Sequence, residues 1–506
     1  MKKANYMLLT AAVALSLGSC RHKFDEYNSN PNQMGKGSIL PANMFETVIC
    51  GVGNDLLKDT HGINGELIQY TVSGSSTNAY HRYVLPVGVT GGLWSDFAVW
   101  AANANEIMEL SVKNSDNNSL AIGLTLRALC LSTLTDSFGD IPLRDAFKIG
   151  SGLTKPRFDP QQMVYDSIFE NLERANKLYQ ISKGLNYPSK DLLFGGNIAR
   201  WKKFTNSLYL RLLMRNVNRN LSYSIGGMNI SQKIDQIVSS PALYPVIESN
   251  DENVSLNFTG VAPFRNYFAD ETEKNFNNSR SMAEYFVKTL DDAGDPRLSI
   301  FAVMGGSEWK GVPSGMPTQD TDGSGAAHIR QGALGTATTP YCFIKYDEVL
   351  FIKAEAAQRG IVAGGAALAE DYYKRAITAS VKYWDAFRSS NAPPVSDATV
   401  EQLLAKLPYD NTLECIINQK YVALFWVGLE AWNEYRRTGY PNLTIGSGTS
   451  NSGILPRRFP YSVGSATTNP DNYAAQVKAM RDAYMDGGDN MLTPVWWSRD
   501  AEILQR

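Results

Sequence analysis

Helical periodicity is the feature that most constrains how this chain can fold. Segment 119–137 is apolar nearly all round, and a helix without a polar face belongs in the centre of a protein. Its leucines are Leu120, Leu124, Leu126, Leu129, Leu131 and Leu134. Segment 411–437 repeats large apolar side chains at steps of one, three or four residues, which indicates one helix with a wide apolar stripe. The sequence therefore predicts a mostly α fold.

Other parts of the chain show the same periodicity. These segments are 40–58, 93–112, 160–180, 199–218, 281–292, 346–360, 364–386 and 398–407. Segments 346–360 and 364–386 indicate a helix hairpin, because Gly360 is suited to a C-cap and small residues in the second helix permit close approach. Such hairpins are tetratricopeptide-like, although no strict 34-residue period runs through the chain.

Two long regions lack periodicity: 222–345, which is interrupted by the helix at 281–292, and 439–472. Both are rich in Gly, Pro, Asn, Ser and aromatic residues. Loops this long in a compact protein are either functional or disordered. Their dispersed aromatics favour ordered, irregular loops with little β structure, and we expect the ligand-binding region around 222–345.

The first twenty residues predict an export signal. Lys2 and Lys3 precede an apolar run of eleven residues, Met7 to Leu17, which is too short to span a bilayer and is typical of a signal peptide. The run ends in Leu17-Gly18-Ser19-Cys20, which resembles a bacterial lipobox. That resemblance implies a signal peptide over 1–19 and fatty chains on Cys20; the alternative is an ordinary secretory cleavage site. A polar tether over 20–38 and a single domain over 39–506 would follow, held to the membrane by lipid alone.

Composition excludes several classes of protein. The 48 Lys and Arg residues against 50 Asp and Glu residues leave a charge of −2, without the basic excess of a nucleic-acid binder. The four histidines match no metal-binding spacing. Apart from Cys20, the cysteines form no CxxC pair and are most simply interpreted as buried small hydrophobes. They are Cys50, Cys130, Cys342 and Cys415. The alternative is that two of them form one disulfide.

Two acidic motifs admit a functional and a structural interpretation. Asp136 and Asp140 lie four residues apart around Gly139, and acid–base catalysis would need a facing carboxylate that no motif supplies. We therefore expect both to bind turn amides, with Gly139 in an unusual backbone conformation. Asp320 and Asp322 resemble the front half of a calcium loop but lack its later ligands. A plain turn is favoured there, with a structural calcium ion as the alternative; no other cofactor is expected.

Aromatic and amide side chains off the helices suggest a sugar-binding surface, because a sugar ring packs its apolar face on an aromatic ring and binds polar groups at its rim. They occur in Ser73–Gly92 and Phe264–Trp309. The candidate ligand-binding residues are Asn78, Tyr80, Arg82, Tyr83, Arg265, Asn266, Tyr267 and Trp309. The alternative for each is local packing; Tyr80→Ala and Trp309→Ala should weaken binding with little loss of stability. By contrast, helical spacing places the following tryptophans in the core: Trp94, Trp100, Trp201, Trp384, Trp426 and Trp432.

Several segments together resemble the SusD/RagB family, particularly its SusD-like branch of outer-membrane lipoproteins that capture nutrients. The resemblance is carried by Thr135–Pro142 (TDSFGDIP), Arg200–Leu208 (RWKKFTNSL), Lys353–Ala356 (KAEA) and Pro494–Trp497 (PVWW). Further matching segments are Asp25–Asn32, Trp94–Asn105, Phe158–Gln161 and Asp295–Arg297. The shared order of all these segments covers nearly the whole chain.

This resemblance implies a fold, a function and a partner. The fold would be a SusD-like α-helical domain with tetratricopeptide-like hairpins. The protein would be a non-enzymatic lipoprotein on the cell exterior that binds an oligosaccharide and delivers it to a SusC-type TonB-dependent outer-membrane transporter. The alternatives are a peptide-binding RagB-like lipoprotein, an α-helical glycan-processing enzyme, and a helical scaffold that binds only proteins.

Overall fold

The computed structural model describes residues 39–74, 79–86, 88–222, 226–278, 280–318 and 322–505. The predicted signal peptide, Cys20 with its predicted lipid and the predicted tether lie outside the described residues, as do Asn78 and Asp320. The expectations for these residues stay predictions.

The described chain is mostly helical. Its longer helices are α1 (Ala42–Asp59), α2 (Val89–Lys113), α3 (Asn117–Phe138), α4 (Gln161–Leu178), α5 (Ile198–Arg215), α6 (Ile230–Ser239), α7 (Glu284–Ala293), α8 (Tyr346–Gln358), α9 (Gly365–Asp385), α10 (Asp397–Lys406), α11 (Leu413–Ala423), α12 (Glu430–Thr438) and α13 (Pro470–Ala483). This confirms the predicted fold class.

The strands are short and pair only in twos within the described residues. They are β1 (Thr71–Ser73), β2 (Val254–Leu256), β3 (Arg280–Met282), β4 (Ala302–Val303), β5 (His328–Ile329) and β6 (Tyr341–Ile344). β1 pairs with β3, β2 with β6 and β4 with β5, each antiparallel. These ladders join distant loops to each other, and the predicted small β content is confirmed.

Helix α3 lies at the centre of the fold, as its apolar sequence predicts. The Asp116 side chain caps its first turn by accepting the Ser119 backbone N–H at 3.0 Å. The helix contacts α2, α4 and α5. A β-carbon on Gly123 would lie 3.0 Å from Ile107 of α2, so the absence of a side chain permits the close approach of these two helices.

The predicted hairpin at 346–386 is also present. Helix α8 packs along α9, with Ala354, Ala369 and Ala376 fully buried. The small side chains bring the two helices together and leave room for Phe351 and Tyr373 in the same apolar cluster.

Segment 411–437 forms two helices where the sequence predicted one. Helix α11 ends at Ala423 and α12 begins at Glu430. Between them Trp426 has φ +67° and Gly428 has φ +47°, in the left-handed region. The apolar spacing continues through the break because Phe425 and Trp426 still face the core. Periodicity therefore identified the buried side and missed the change of direction.

Two of the longer helices lie where none was predicted. Helix α6 falls inside the predicted loop region 222–345, and α13 begins at the end of the predicted loop 439–472. Helix α6 carries a recognisable signal, since Asn229 and Gln232 form a reciprocal capping box. Its buried residues Ile230, Ile234 and Ile237 follow at helical spacing.

Several predicted roles are settled by burial. Of the tryptophans assigned to the core, Trp201, Trp384, Trp426 and Trp432 are buried. Trp94 and Trp100 are half-buried and pack against the same core. Cys50, Cys130, Cys342 and Cys415 are all free thiols, and all but Cys415 are buried. Among the residues described, no helix combines the length and apolar character needed to cross a bilayer.

Asp136 does not have the role predicted for it. Instead of binding turn amides, its buried carboxylate pairs with Arg215 and accepts the Trp497 indole N–H at 2.7 Å and the Tyr165 hydroxyl. Asp140 does accept a backbone N–H, that of Gln161 at 2.7 Å, but this amide begins the next helix, α4. Gly139 has φ +80°, which confirms its unusual conformation.

Candidate functional site

The β1–β3 ladder brings together the two loop stretches that the sequence predicted to bind ligand. In its register Thr71 lies opposite Met282 and Ser73 lies opposite Arg280. The stretch Ser73–Gly92 therefore begins directly beside the stretch Phe264–Trp309, although about 200 residues separate them in sequence.

An open cleft of about 550 Å³ lies along this ladder. Its wall includes Val72 of β1 and Ser281 of β3, together with Val312 and Ala326 from the loop that follows β4. Its other polar lining residues are Glu273, Lys274, Asn277, Asn278, Arg280 and His328. We call this feature the ladder cleft.

Arg280 is the most firmly positioned polar residue of the ladder cleft. Its guanidinium lies 2.8 Å from the Glu66 carboxylate and donates to the Thr71 hydroxyl at 3.2 Å. Its side chain is 13% exposed. Glu66 is completely buried and also accepts the His81 backbone N–H at 3.2 Å. Burial raises the pKa of Glu66, although Arg280 opposes that rise. One carboxylate thus connects the cleft wall to the turn at 80–82.

His81 fixes a second loop to the same region. Its Nε2 donates to the Ser73 carbonyl at 3.0 Å, and its Nδ1 accepts the Gly315 N–H at 3.0 Å. Because a backbone N–H can only donate, Nδ1 carries no proton and the ring is neutral. Burial, with a contribution from Arg82, lowers the pKa of His81 to about 4.

The loop at 444–453 completes this arrangement. Its Ser450 N–H donates to the Arg82 carbonyl at 2.8 Å, and its Gly448 N–H donates to the Gly315 carbonyl at 2.7 Å. Gln69 donates its side-chain amide to the Thr444 carbonyl at 2.7 Å. Three loops distant in sequence therefore support the ladder cleft through backbone hydrogen bonds.

Four of the predicted ligand-binding residues are buried in the structure. Tyr80, Arg82 and Tyr83 are 9%, 7% and 2% exposed, and Arg82 donates to the Thr318 hydroxyl. Asn266 is 2% exposed; it donates to the Thr339 carbonyl and accepts the Phe268 N–H, both at 2.9 Å. These side chains support the loops from within and are not on an exposed surface, contrary to the predicted surface placement; ligand contact by them stays a prediction. Tyr80→Ala should therefore lower stability, contrary to the expectation from sequence.

The other three described candidates are more exposed. Tyr267 is 51% exposed and meets Phe268 edge-on. Arg265 pairs with Asp270 at 2.9 Å, and Trp309 is half-buried against the core. None of the three lines the ladder cleft, and ligand contact by them stays a prediction.

Sequence reasoning missed the residues that do line the ladder cleft. Lys274, Asn277 and Asn278 belong to the run Glu273–Asn278, which has neither an aromatic cluster nor a known motif. The available signal was its density of charged and amide side chains inside a predicted loop. Amides, a guanidinium and hydroxyls together provide hydrogen-bond donors and acceptors for a polar ligand.

The predicted cation loop is described only from residue 322. The exposed Asp322 side chain accepts the Ser324 N–H at 2.8 Å, as in an ordinary Asx turn. Among the described residues, no group of three or more His, Cys, Asp or Glu side chains is placed to hold a metal ion.

The fold is shared with known structures. A protein described as chitin-binding matches with a TM-score of 0.76 and 24% identity over 91% of this chain and 100% of that one. A SusD homologue from Bacteroides fragilis NCTC 9343 matches with a TM-score of 0.78 and 20% identity, at the same coverage. A SusD/RagB family protein from Bacteroides thetaiotaomicron VPI-5482 matches with a TM-score of 0.72 and 21% identity over 91% and 99% of the two chains.

The sequence itself matches one family over most of its length. No curated protein sequence matches significantly. The profile of the SusD-like family, described as starch-binding and associating with the outer membrane, matches residues 31–462. This match covers well over half of the 506 residues, and the helical architecture agrees with it. The chain therefore belongs to the SusD-like family.

Proposed function

We propose that this protein is a cell-surface lipoprotein that binds an oligosaccharide in the ladder cleft and delivers it to a SusC-type TonB-dependent transporter. The observation that carries the proposal is the cleft itself. Of its polar lining residues, Arg280 is held by the buried Glu66, and His81 ties the end of β1 to the loop at Gly315, so this part of the surface is formed before a ligand arrives. Preformed hydrogen-bonding surfaces lose less entropy on binding.

The comparisons favour a carbohydrate as the ligand. The family is described as starch-binding, and one structural neighbour is described as chitin-binding. A glycan offers hydroxyl groups that both donate and accept hydrogen bonds, and so suits the mixture of Asn277, Asn278, Lys274 and Glu273. On this proposal the protein binds and transfers its ligand without chemical change.

The proposed location follows from the lipobox and the family. Acylation of Cys20 would hold the protein on the outer membrane, because two or more fatty chains anchor a protein stably where one does not. The domain would then face the cell exterior, where it meets glycans before the transporter does. Replacing Cys20 by Ala should release the protein from the membrane fraction, while the wild-type protein, acylated on Cys20, should remain there and copurify with the transporter.

Peptides are the alternative ligand. The amide and guanidinium groups of the ladder cleft also match the N–H and C=O groups of an extended backbone. A direct test compares both classes: the mature protein is immobilised and exposed to starch oligosaccharides, chitin oligosaccharides and unstructured peptides. Binding of an oligosaccharide supports the proposal. Binding of peptides alone favours the RagB-like alternative, and appearance of cleaved glycan favours an enzyme.

A matched pair of variants locates the site. Asn278 is exposed and lines the ladder cleft, whereas Asn391 is exposed in the loop between α9 and α10. Asn278→Ala should weaken oligosaccharide binding about two- to twelvefold, the effect of one lost hydrogen bond of ~0.5–1.5 kcal/mol. Asn391→Ala should leave affinity unchanged. Equal affinities in both variants would show that the ligand binds elsewhere.

A further inference from the structure

A second pocket lies between helices α4 and α13 and is lined by segments that the ladder cleft does not use. Its volume is about 240 Å³. The turn after α3 contributes Asp140, the start of α4 contributes Gln161, and α13 contributes Gln476 and Met480. The segment Thr493–Trp496 closes one side. We call it the Asp140 pocket.

The polar end of the Asp140 pocket contains an acceptor with unused capacity. The Asp140 carboxylate accepts the Gln161 backbone N–H at 2.7 Å on one oxygen and the Gln476 side-chain amide at 2.8 Å on the other. These bonds use two of the roughly four acceptor positions of a carboxylate. Asp140 is partly exposed and lines the pocket, so it is the acceptor nearest to an occupant.

The same pocket contains a donor without a partner. Arg458 is 1% exposed; its Nε donates to the Phe138 carbonyl at 3.0 Å and its Nη1 to Asp489 at 3.0 Å. Within the described part of the chain, its Nη2 has no hydrogen-bond partner. Arg458 lines the pocket, and its guanidinium also packs over the Tyr461 ring, 4.5 Å from the ring centroid. An oxygen atom of an occupant at this wall would give Nη2 an acceptor.

The remaining walls are mostly apolar, and their polar residues are Gln162, Tyr484 and Thr493. Met480 and Val495 are buried, and the half-buried Trp496 lies beside them. A pocket with apolar sides and a few convergent polar groups is the usual design of a small-molecule site. Its volume is below the ~300–1,000 Å³ of pockets that take drug-sized molecules, so the occupant is about the size of one ring.

The combination of groups selects the chemistry of the occupant. A carboxylate only accepts hydrogen bonds and disfavours anions, whereas a guanidinium only donates and disfavours cations. Hydroxyl groups do both without carrying charge, and the carbon–hydrogen face of a sugar suits Met480 and Trp496. We infer that the Asp140 pocket binds one neutral sugar ring, either a free monosaccharide or the end unit of a glycan.

This second site goes beyond the ladder cleft and rests on the proposed function only in the choice of sugars as probes. The mature protein would be titrated with glucose, galactose, mannose and N-acetylglucosamine, with saturation-transfer NMR and tryptophan fluorescence as readouts. Binding of at least one of them is expected.

Two exposed alanines of α13 provide a matched pair of variants. Ala479 lines the Asp140 pocket and Ala474 does not. Ala479→Phe should block the pocket and weaken monosaccharide binding at least about tenfold, whereas Ala474→Phe should leave it unchanged. Asp140→Asn, which keeps the shape but removes the charge, should also weaken it. Unchanged binding in Ala479→Phe, or no binding of any of the four sugars, would overturn the inference.

The binding experiments with these variants distinguish a failure of the second site from a failure of the proposed function. Asn278→Ala should weaken oligosaccharide binding and leave monosaccharide binding intact. If monosaccharide binding persists while no oligosaccharide binds the ladder cleft, the proposed function fails and the second site stands. An oligosaccharide that competes with the monosaccharide in Asn278→Ala identifies the occupant as a chain end; lack of competition identifies it as a free sugar.

Discussion

Arg437 of α12 and Glu355 of α8 form a bidentate ion pair in the protein interior. Both nitrogen–oxygen distances are 2.6 Å, and neither side chain has exposed surface. Arg437 also contacts Glu434 at 2.7 Å, which in turn binds Lys420 at 2.9 Å. Burial alone would raise the pKa of Glu355, but Arg437 and Arg359 lower it below its ordinary value, so the carboxylate stays charged.

Removing the cation of this pair should be strongly destabilising. Arg437→Ala leaves Glu355 buried with an incomplete set of partners, and we expect the free energy of unfolding to fall by ~3–5 kcal/mol. Denaturant titration measures the change. The control is Lys374→Ala, which removes the exposed pair with Glu370 on α9 and should cost less than ~0.5 kcal/mol. Similar losses in both variants would contradict the assignment.

Stability should depend on His81 in mildly acidic solution. Because burial and Arg82 lower its pKa from 6.5 to about 4, the unfolded chain binds a proton between these pH values that the folded protein does not. The free energy of unfolding therefore decreases as the pH falls from 6.5 towards 4, by ~1.4 kcal/mol per pH unit. Above pH 6.5 the contribution of His81 to stability is fully present.

The variant His81→Gln isolates that contribution. Unfolding free energies measured from pH 7 to pH 4 should fall less steeply in the variant. The difference in slope should correspond to about one bound proton, while other groups contribute equally to both proteins. Parallel pH profiles would show that His81 does not titrate as its hydrogen bonds to Ser73 and Gly315 indicate.

Two tyrosines from the predicted binding stretches should respond differently to truncation. Tyr83 is 2% exposed, and Tyr83→Ala should destabilise the fold by ~3 kcal/mol or more through loss of burial and the resulting cavity. Tyr267 is 51% exposed, and Tyr267→Ala should change stability by less than ~0.5 kcal/mol. Thermal unfolding tests both; equal melting temperatures would contradict the placement of Tyr83.

Gly428 should be intolerant of a side chain. It lies between α11 and α12 with φ +47°, and an added β-carbon would lie 3.3 Å from the Tyr341 hydroxyl. Gly428→Ala should cost ~1–2 kcal/mol, the penalty of the left-handed region for ordinary residues. Gly332→Ala is the control, because its β-carbon meets no atom within 4 Å and its φ is not in that region. A neutral Gly428→Ala would show that the break between the helices tolerates another geometry.

Sequence patterns anticipated what is buried better than what is exposed. The all-apolar α3 and the small residues of α9 were recognisable because burial imposes a repeating spacing along a helix. The break at Trp426 and Gly428 was not recognisable in the sequence, because a few residues in the left-handed region leave the apolar spacing intact. The capping box of α6 shows that a local signal was present in the region predicted as loop.

The proposed ligand-binding face was harder to predict than the helices. An aromatic residue in a loop can pack inward or outward, and Tyr83 turns inward while Tyr267 does not. The Asn266 side-chain amide forms hydrogen bonds with neighbouring backbone groups, and the spacing of residues in the sequence does not predict these bonds. The ladder cleft depends on the pairing of Ser73 with Arg280, and such distant pairing leaves no trace in either segment alone.

The burial of Glu66 has a kinetic consequence. Because this single carboxylate restrains both Arg280 and the turn at 80–82, that part of the cleft wall would need no rearrangement to receive the proposed ligand. Encounter should then be governed by diffusion and orientation, and differences in affinity among ligands should arise in their residence times. A receptor of this kind samples many molecules quickly and retains the few that match.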